Sequence, residues 1–244
     1  DVGTGVGVGV DVGNGVAVSG VKNAFTQGAV NQTGVNTDLA ISGEGFFIVK
    51  KAIDATTSEL FATRAGDFHL DADGYLVTNQ GFRVQGITDT LEINKDYDVA
   101  TAAKGDIQFD KGTLPAGLTS TADISNINID ANGKVNVLLT DGTQYTRGQI
   151  LLQQFNNPNA LLKQGNNLYS SLTTAGPVTA IASIGLAPNT AGLGRIDSGA
   201  LEVSNVDIAR EFANLITTQR AFQANARVVT ASDDMLQEMI RVVR

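Results

Sequence analysis

"QRAFQANARVV", residues 219–229, lies inside a C-terminal run of helical periodicity, and what that helix packs against decides the architecture. Ile208, Phe212, Leu215, Gln219, Phe222, Ala226, Val229, Asp233, Leu236, Ile240 and Val243 follow one another at alternating steps of four and three, the seam period of a coiled coil. Ser204, with Asp207 three residues on, reads as the N-cap, its hydroxyl placed to accept from the first backbone N–H groups. No proline or glycine follows Ser204. The spacing predicts a helix from about Asn205 to Arg244, roughly 60 Å long at 1.5 Å per residue. Burying the larger apolar seam residues would contribute on the order of 12–24 kcal/mol as an upper estimate, so the stripe requires a partner. The rest of the chain offers no second long segment of that period, only a short turn in "PNALLK", residues 158–163. The partner is therefore expected outside these 244 residues.

Two seam positions are polar. Gln219 and Asp233 stand two heptads apart at a-type positions, where polar groups cost stability but fix register or face water.

Upstream of the helix the texture changes. The 27 glycines, the few prolines and the abundance of Thr, Asn, Val and Ile point to strands and tight turns. Residues 1–20 alternate Val with Gly, which would give a strand one valine face and one nearly bare face, or else a low-complexity end. From Val21 onward, strand-like runs alternate with turn signals in "DLAISGEGFFIVKK" (38–51), "LFATRAGDFHLDADGYLVTNQGFRVQG" (60–86) and "ISNINIDANGKVNVLLTDGTQYTRGQILLQQF" (124–155). Residues 87–146 differ from their flanks, with a charged start, Thr-rich stretches and a turn at 111–117. Residues 173–198, rich in Gly and Pro, read as a connector.

The expected fold is mainly β: a β-rich core domain with an inserted or elaborated β subdomain, plus one long C-terminal α-helix of coiled-coil type. The segments are a Gly/Val-rich 1–20, a discontinuous core of 21–86 and 147–204, the insertion at 87–146, and the helix at 205–244.

Charge and composition narrow the function. A net charge of −8, with 17 scattered basic residues, leaves no row of cations to neutralise phosphates, so no nucleic acid is expected. No apolar run approaches the roughly 18 residues a membrane span needs, so no membrane insertion is expected either. Zero cysteines exclude a disulfide scaffold and a thiolate nucleophile. His69 is the single histidine and sits in an alternating strand pattern before a turn, which suits a strand residue better than a catalytic one. Asp71, Asp73 and Gly74, like Asp130, Asn132 and Gly133, imitate the middle of a calcium loop. The closing position, however, is Gln80 in one and Leu139 in the other, where a bidentate Glu is needed. Turn chemistry explains them better. No metal, cofactor or catalytic residue is expected. Glu44, Asp67, Asp71, Asp73 and Glu202 leave a glycosidase as the enzymatic alternative, though no tryptophan is present to build a sugar platform. A secreted β-rich adhesin is the third class, and it leaves the long helix unexplained.

Four blocks carry a resemblance: "FTQGAVNQTGVNTDLAISGEGFFIV" (25–49), "TRAGDFHLDADGYLVTNQGFRVQG" (63–86), "GQILLQQFNNPNALLKQGNNLY" (148–169) and "GALEVSNVDIAREFANLITTQRAFQANARVVTASDDML" (199–236). In this order they resemble the axial proteins of the bacterial flagellum, the family of rod and hook subunits. Within it the closing stretch is most similar to hook subunits, which form the bent tube working as a universal joint between motor and filament; distal rod subunits are the runner-up.

The resemblance implies a structural protein that polymerises with itself into a helical tube and meets other axial proteins, namely the distal rod, hook cap and hook–filament junction proteins. It implies export by the flagellar type III system to an extracellular position. It also implies an N-terminal helix with an Asn-rich motif, packed on the C-terminal one as the inner layer around a channel. That helix and its motif are absent from this sequence, so the matching part is expected to have been trimmed or not included.

Overall fold

The computed structural model describes residues 23, 25–52, 58–89, 91–92, 96–98, 101–109, 123–178 and 185–242. The Val–Gly alternation, the turn at 111–117 and the last seam residue, Val243, lie outside the described residues.

The chain is mainly β with one long C-terminal helix. In order the strands are β1 (Val30–Gln32), β2 (Leu39–Ser42), β3 (Phe46–Ala52), β4 (Ser58–Thr63), β5 (Phe68–Leu70), β6 (Leu76–Thr78), β7 (Arg83–Ile87), β8 (Leu91–Glu92) and β9 (Lys104–Asp106). They continue with β10 (Ile124–Ile129), β11 (Lys134–Leu139), β12 (Gln144–Ile150), β13 (Leu152–Gln153), β14 (Leu162–Gly165), β15 (Leu168–Ser170), β16 (Arg195–Ser198) and β17 (Ala200–Glu202). The helix α1 spans Ile208–Val242. "PNALLK" resolves into a single 3-10 turn at Pro158–Ala160, with proline at its start, followed by β14.

Among the described residues, thirteen strands join one sheet, whose main path runs β10-β11-β12-β7-β3-β4-β15-β14. The β3 strand lies near its middle, and its sequence shows why. Phe46, Phe47, Ile48 and Val49 are all buried, a continuous apolar run rather than an alternation, because both faces of the strand are covered. Phe47 and Val49 face the larger core with Leu39, Leu76, Val84 and Ile150. Phe46 and Ile48 face a second cluster with Ala62, Phe155 and Leu161. By contrast β11 alternates half-buried and buried residues, the pattern of a strand covered on one face.

The 87–146 segment contributes β8 to β11 and the start of β12. These strands hydrogen-bond into the same sheet: β8 pairs with β12, β9 with β7, and β10 with β11. Ile107, Phe109, Val135, Val137 and Tyr145 share one core cluster with Leu39 and Phe47. A polar knot pins β9 to β7. Gln85 Nε2 donates to Asp106 Oδ1 at 2.8 Å, and Arg83 Nη1 to Asp106 Oδ2 at 3.1 Å, with Lys50 Nζ 3.7 Å from the same carboxylate. Burial alone would push this carboxyl upward, but the hydrogen bonds from Gln85 and Arg83 and the nearby positive charges outweigh it and hold Asp106 below the usual carboxylate range.

Both calcium-like stretches are tight turns. Asp71 Oδ1 accepts from the amides of Asp73 and Tyr75, and Asp130 Oδ1 from those of Asn132 and Lys134. Gly74 and Gly133 take the positive φ that each turn demands, 79° and 75°.

Candidate assembly interface

Two short pairings outside the main sheet bring the first described residues beside the strand that leads into α1. The β16 strand pairs with β2, and β17 with β1, placing Val30 opposite Glu202 and Gln32 opposite Ala200. The pairing continues toward the helix: the Val203 amide donates to the Ala29 carbonyl at 2.9 Å, and Asn205 Nδ2 donates to the carbonyl and hydroxyl oxygens of Thr26, each at 2.7 Å. Residues 25–32 therefore run antiparallel to the strand that feeds α1. The described end of the stretch expected as a connector, Arg195–Ser198, is β16 and belongs to this neck.

The helix starts three residues later than its sequence suggests. Asp207, not Ser204, caps it: Asp207 Oδ1 accepts from the amides of Ala209 and Arg210 at 2.9 and 3.2 Å. The Ser204 hydroxyl instead accepts from Val206 at 3.3 Å, inside the neck. The physical reason is the hold on Asn205, which the Thr26 contacts keep out of the helix, so that capping passes to the next suitable side chain. Glu211 in the first turn and Arg241 in the last complement the helix dipole. Thr217, Thr218, Thr230 and Ser232 turn their hydroxyls back onto carbonyls of the preceding turn, which satisfies them within the helix.

No residue of α1 is buried. The seam residues Ile208, Phe212, Leu215, Phe222, Val229, Leu236 and Ile240 are exposed, Phe222 at 74% and Leu236 at 59%; Gln219, Ala226 and Asp233 share the exposure. The stripe does not fold back on the β body. The exposed apolar surface is also wider than the seam. Val228, Met235, Met239 and Val242 are exposed too, and at 100° per residue they form a second line about a third of a turn away. The seven-residue spacing of Val228, Met235 and Val242 was present in the sequence beside the first stripe.

Three of the five carboxylates that kept a glycosidase open, Asp67, Asp71 and Glu202, have structural partners. Asp71 holds a turn, Asp67 accepts from the Asn79 amide, and Glu202 pairs with Arg64 at 3.1 Å. His69 is exposed on β5, opposite Val77. Among the described residues no cluster of three or more His, Cys, Asp or Glu could hold a metal ion, and no helix is long and apolar enough to cross a membrane. The neck residues Thr26, Gln27, Arg64 and Asn205 escaped sequence reasoning, because their partners lie up to 179 residues away.

A β body whose N-terminal arm lies beside the root of one long, exposed helix has the architecture of a structural subunit. Comparisons agree on the class. Residues 197–242 match the model "Flagellar basal body rod FlgEFG protein C-terminal", and residues 40–137 match "Flagellar hook protein FlgE/F/G D1 domain". The flagellar basal-body rod protein FlgG of Bacillus subtilis is 32% identical over 96% of this chain and 75% of its own length. The flagellar hook protein FlgE of Borreliella burgdorferi is 42% identical over 49% of this chain and 26% of its own. A solved structure, the Helicobacter pylori flagellar hook protein FlgE2, superposes with a TM-score of 0.45 at 10% identity, covering 71% of this chain and 100% of that one. The chain belongs to the FlgE/F/G family of flagellar rod and hook proteins. It is a structural component of the flagellum, not an enzyme.

Proposed function

We propose that this chain is a rod-type axial subunit, polymerising with copies of itself into a tube whose inner layer includes α1 and whose outer layer is the β body. One observation carries the choice of rod over hook. Similarity to the Bacillus subtilis rod protein runs along nearly the whole chain and three quarters of the relative, whereas the hook relative aligns over half the chain and a quarter of itself. Three quarters of that hook relative lie outside the match. The hook reading keeps a specific support of its own in the higher identity of that shorter match.

In either case the mechanism is mechanical. The seam from Ile208 to Val243 is the assembly face, and a contact that does not close on itself propagates a helical polymer. A rod holds one arrangement of its outer contacts; a hook lets them slide between near-equivalent ones. The chain divides in this reading into a β body (21–86 and 147–204), its elaboration (87–146) and the assembly helix (205–244). Export by the flagellar type III route, and neighbours above and below in the same axis, follow from the same proposal.

Deletion of the gene, followed by electron cryotomography of the cells, tests it. A rod-type subunit predicts basal bodies with a shortened axis and no external tube. A full-length axis missing only the external tube would overturn the rod assignment in favour of the hook, and intact flagella would overturn both.

A further inference from the structure

Gly28, Arg64 and Glu202 come from three distant parts of the chain and meet where the β body gives way to α1. Glu202 uses both carboxylate oxygens: Oε1 accepts from the Gly28 amide at 2.8 Å and Oε2 from Arg64 Nε at 3.1 Å. Arg64 Nη2 donates to the Gly43 carbonyl at 3.0 Å, and its guanidinium lies 5.8 Å from the ring of Phe46, a core residue. The two charged side chains are 16% and 12% exposed, so salt screens this pair far less than a surface pair. They wall a cleft of about 290 Å³ with Phe25, Tyr169, Val203 and Asn205. The fit leaves no slack, since a Cβ on Gly28 would stand 1.9 Å from the Val203 carbonyl oxygen.

We infer that Arg64 and Glu202 are positioning residues: by clamping residues 25–28 and the β17 end to the core strands, they fix the direction in which α1 leaves the body. The clamp ties the N-terminal arm to β17 through Glu202 and ties β17 to the body through Arg64, so losing either charge loosens the neck, which the strand pairings still hold, without removing any core residue. Leverage makes the angle matter. Along 35 residues of helix, a swing of about 10° at the root moves the far end by roughly 9 Å, one interhelical spacing. Only the consequence for the polymer rests on α1 being the assembly helix.

These 244 residues hold no cysteine, so spin labels can be placed at will. With labels at Lys163→Cys on the body and Gln223→Cys on α1, Glu202→Gln and Arg64→Gln should each broaden the measured distance distribution about twofold or more. Exchange of the Gly28 amide should rise about tenfold while the Phe47 and Ile48 amides keep their protection. Arg64→Lys, which keeps the charge but loses the fork, should give an intermediate width. An unchanged distribution in both Gln variants would overturn the inference, and so would a loss of protection shared equally by neck and core. If the native protein failed to polymerise at all, the assembly reading would fall while these measurements on the unassembled chain kept their meaning.

Discussion

Asp106 shows how a single side chain can be read in physical terms. Its carboxylate accepts from Gln85 and Arg83 and neighbours Lys50, and its folded pKa lies below the ordinary value. The unfolded chain, with an aspartate near about 3.9, binds the proton first as pH falls. The contribution of this group to stability is therefore complete above that pH and is lost as pH drops through the lower folded value. Asp106→Asn should cost about 1–2 kcal/mol at neutral pH, discounted for partial exposure, and should flatten the fall in stability below about pH 4. Thermal melts of both proteins between neutral and acidic pH check this; parallel profiles would contradict it. Little of this knot was legible in sequence, because Gln85 and Asp106 are 21 residues apart and only the β7–β9 pairing makes them neighbours. The turns at Asp71 and Asp130 were legible, since their whole chemistry lies within four residues.

At the scale of the element, α1 was the most readable part of the chain. A repeat of four and three over many turns has one structural meaning, and the helix follows it from Ile208 to Val242. Its start was less readable, because the choice between Ser204 and Asp207 as cap depends on Thr26 holding Asn205. The exposed stripe makes a prediction. Replacing Phe222 and Leu236 together with serine should abolish polymer while leaving the melting of the β body within about 0.5 kcal/mol, since neither side chain touches the core. Electron microscopy and calorimetry of the double variant are the check, and intact polymer would contradict the role given to the seam. Asp233 belongs to the same face and accepts from Gln237 at 3.3 Å within its own helix. If its charge is the cost of setting register, Asp233→Leu should raise the melting temperature of the polymer; an unchanged polymer melt would count against that role.

For the whole molecule, composition and turn signals were enough to expect a β body and a terminal helix, but not the single sheet that runs through the 87–146 segment. A shift in texture along the chain looks like a boundary, whereas the pairing of β9 with β7 and of β8 with β12 is long-range and leaves no local mark. The neck was hidden for the same reason. Pairing Val30 with Glu202 brings residues separated by most of the chain to one place and sets the N-terminal arm beside the root of the helix. The architecture thus presents a β body, a hydrogen-bonded neck and a helix with an uncovered apolar stripe, which suits the proposed stacking of copies in register.

The most direct test is a helical reconstruction, by electron cryomicroscopy, of the flagellar axis from cells that make this chain. The account predicts Phe212, Phe222, Leu236 and Ile240 buried against other helices in the inner wall of the tube. Finding α1 lying on the outside with those four side chains still in water would contradict it.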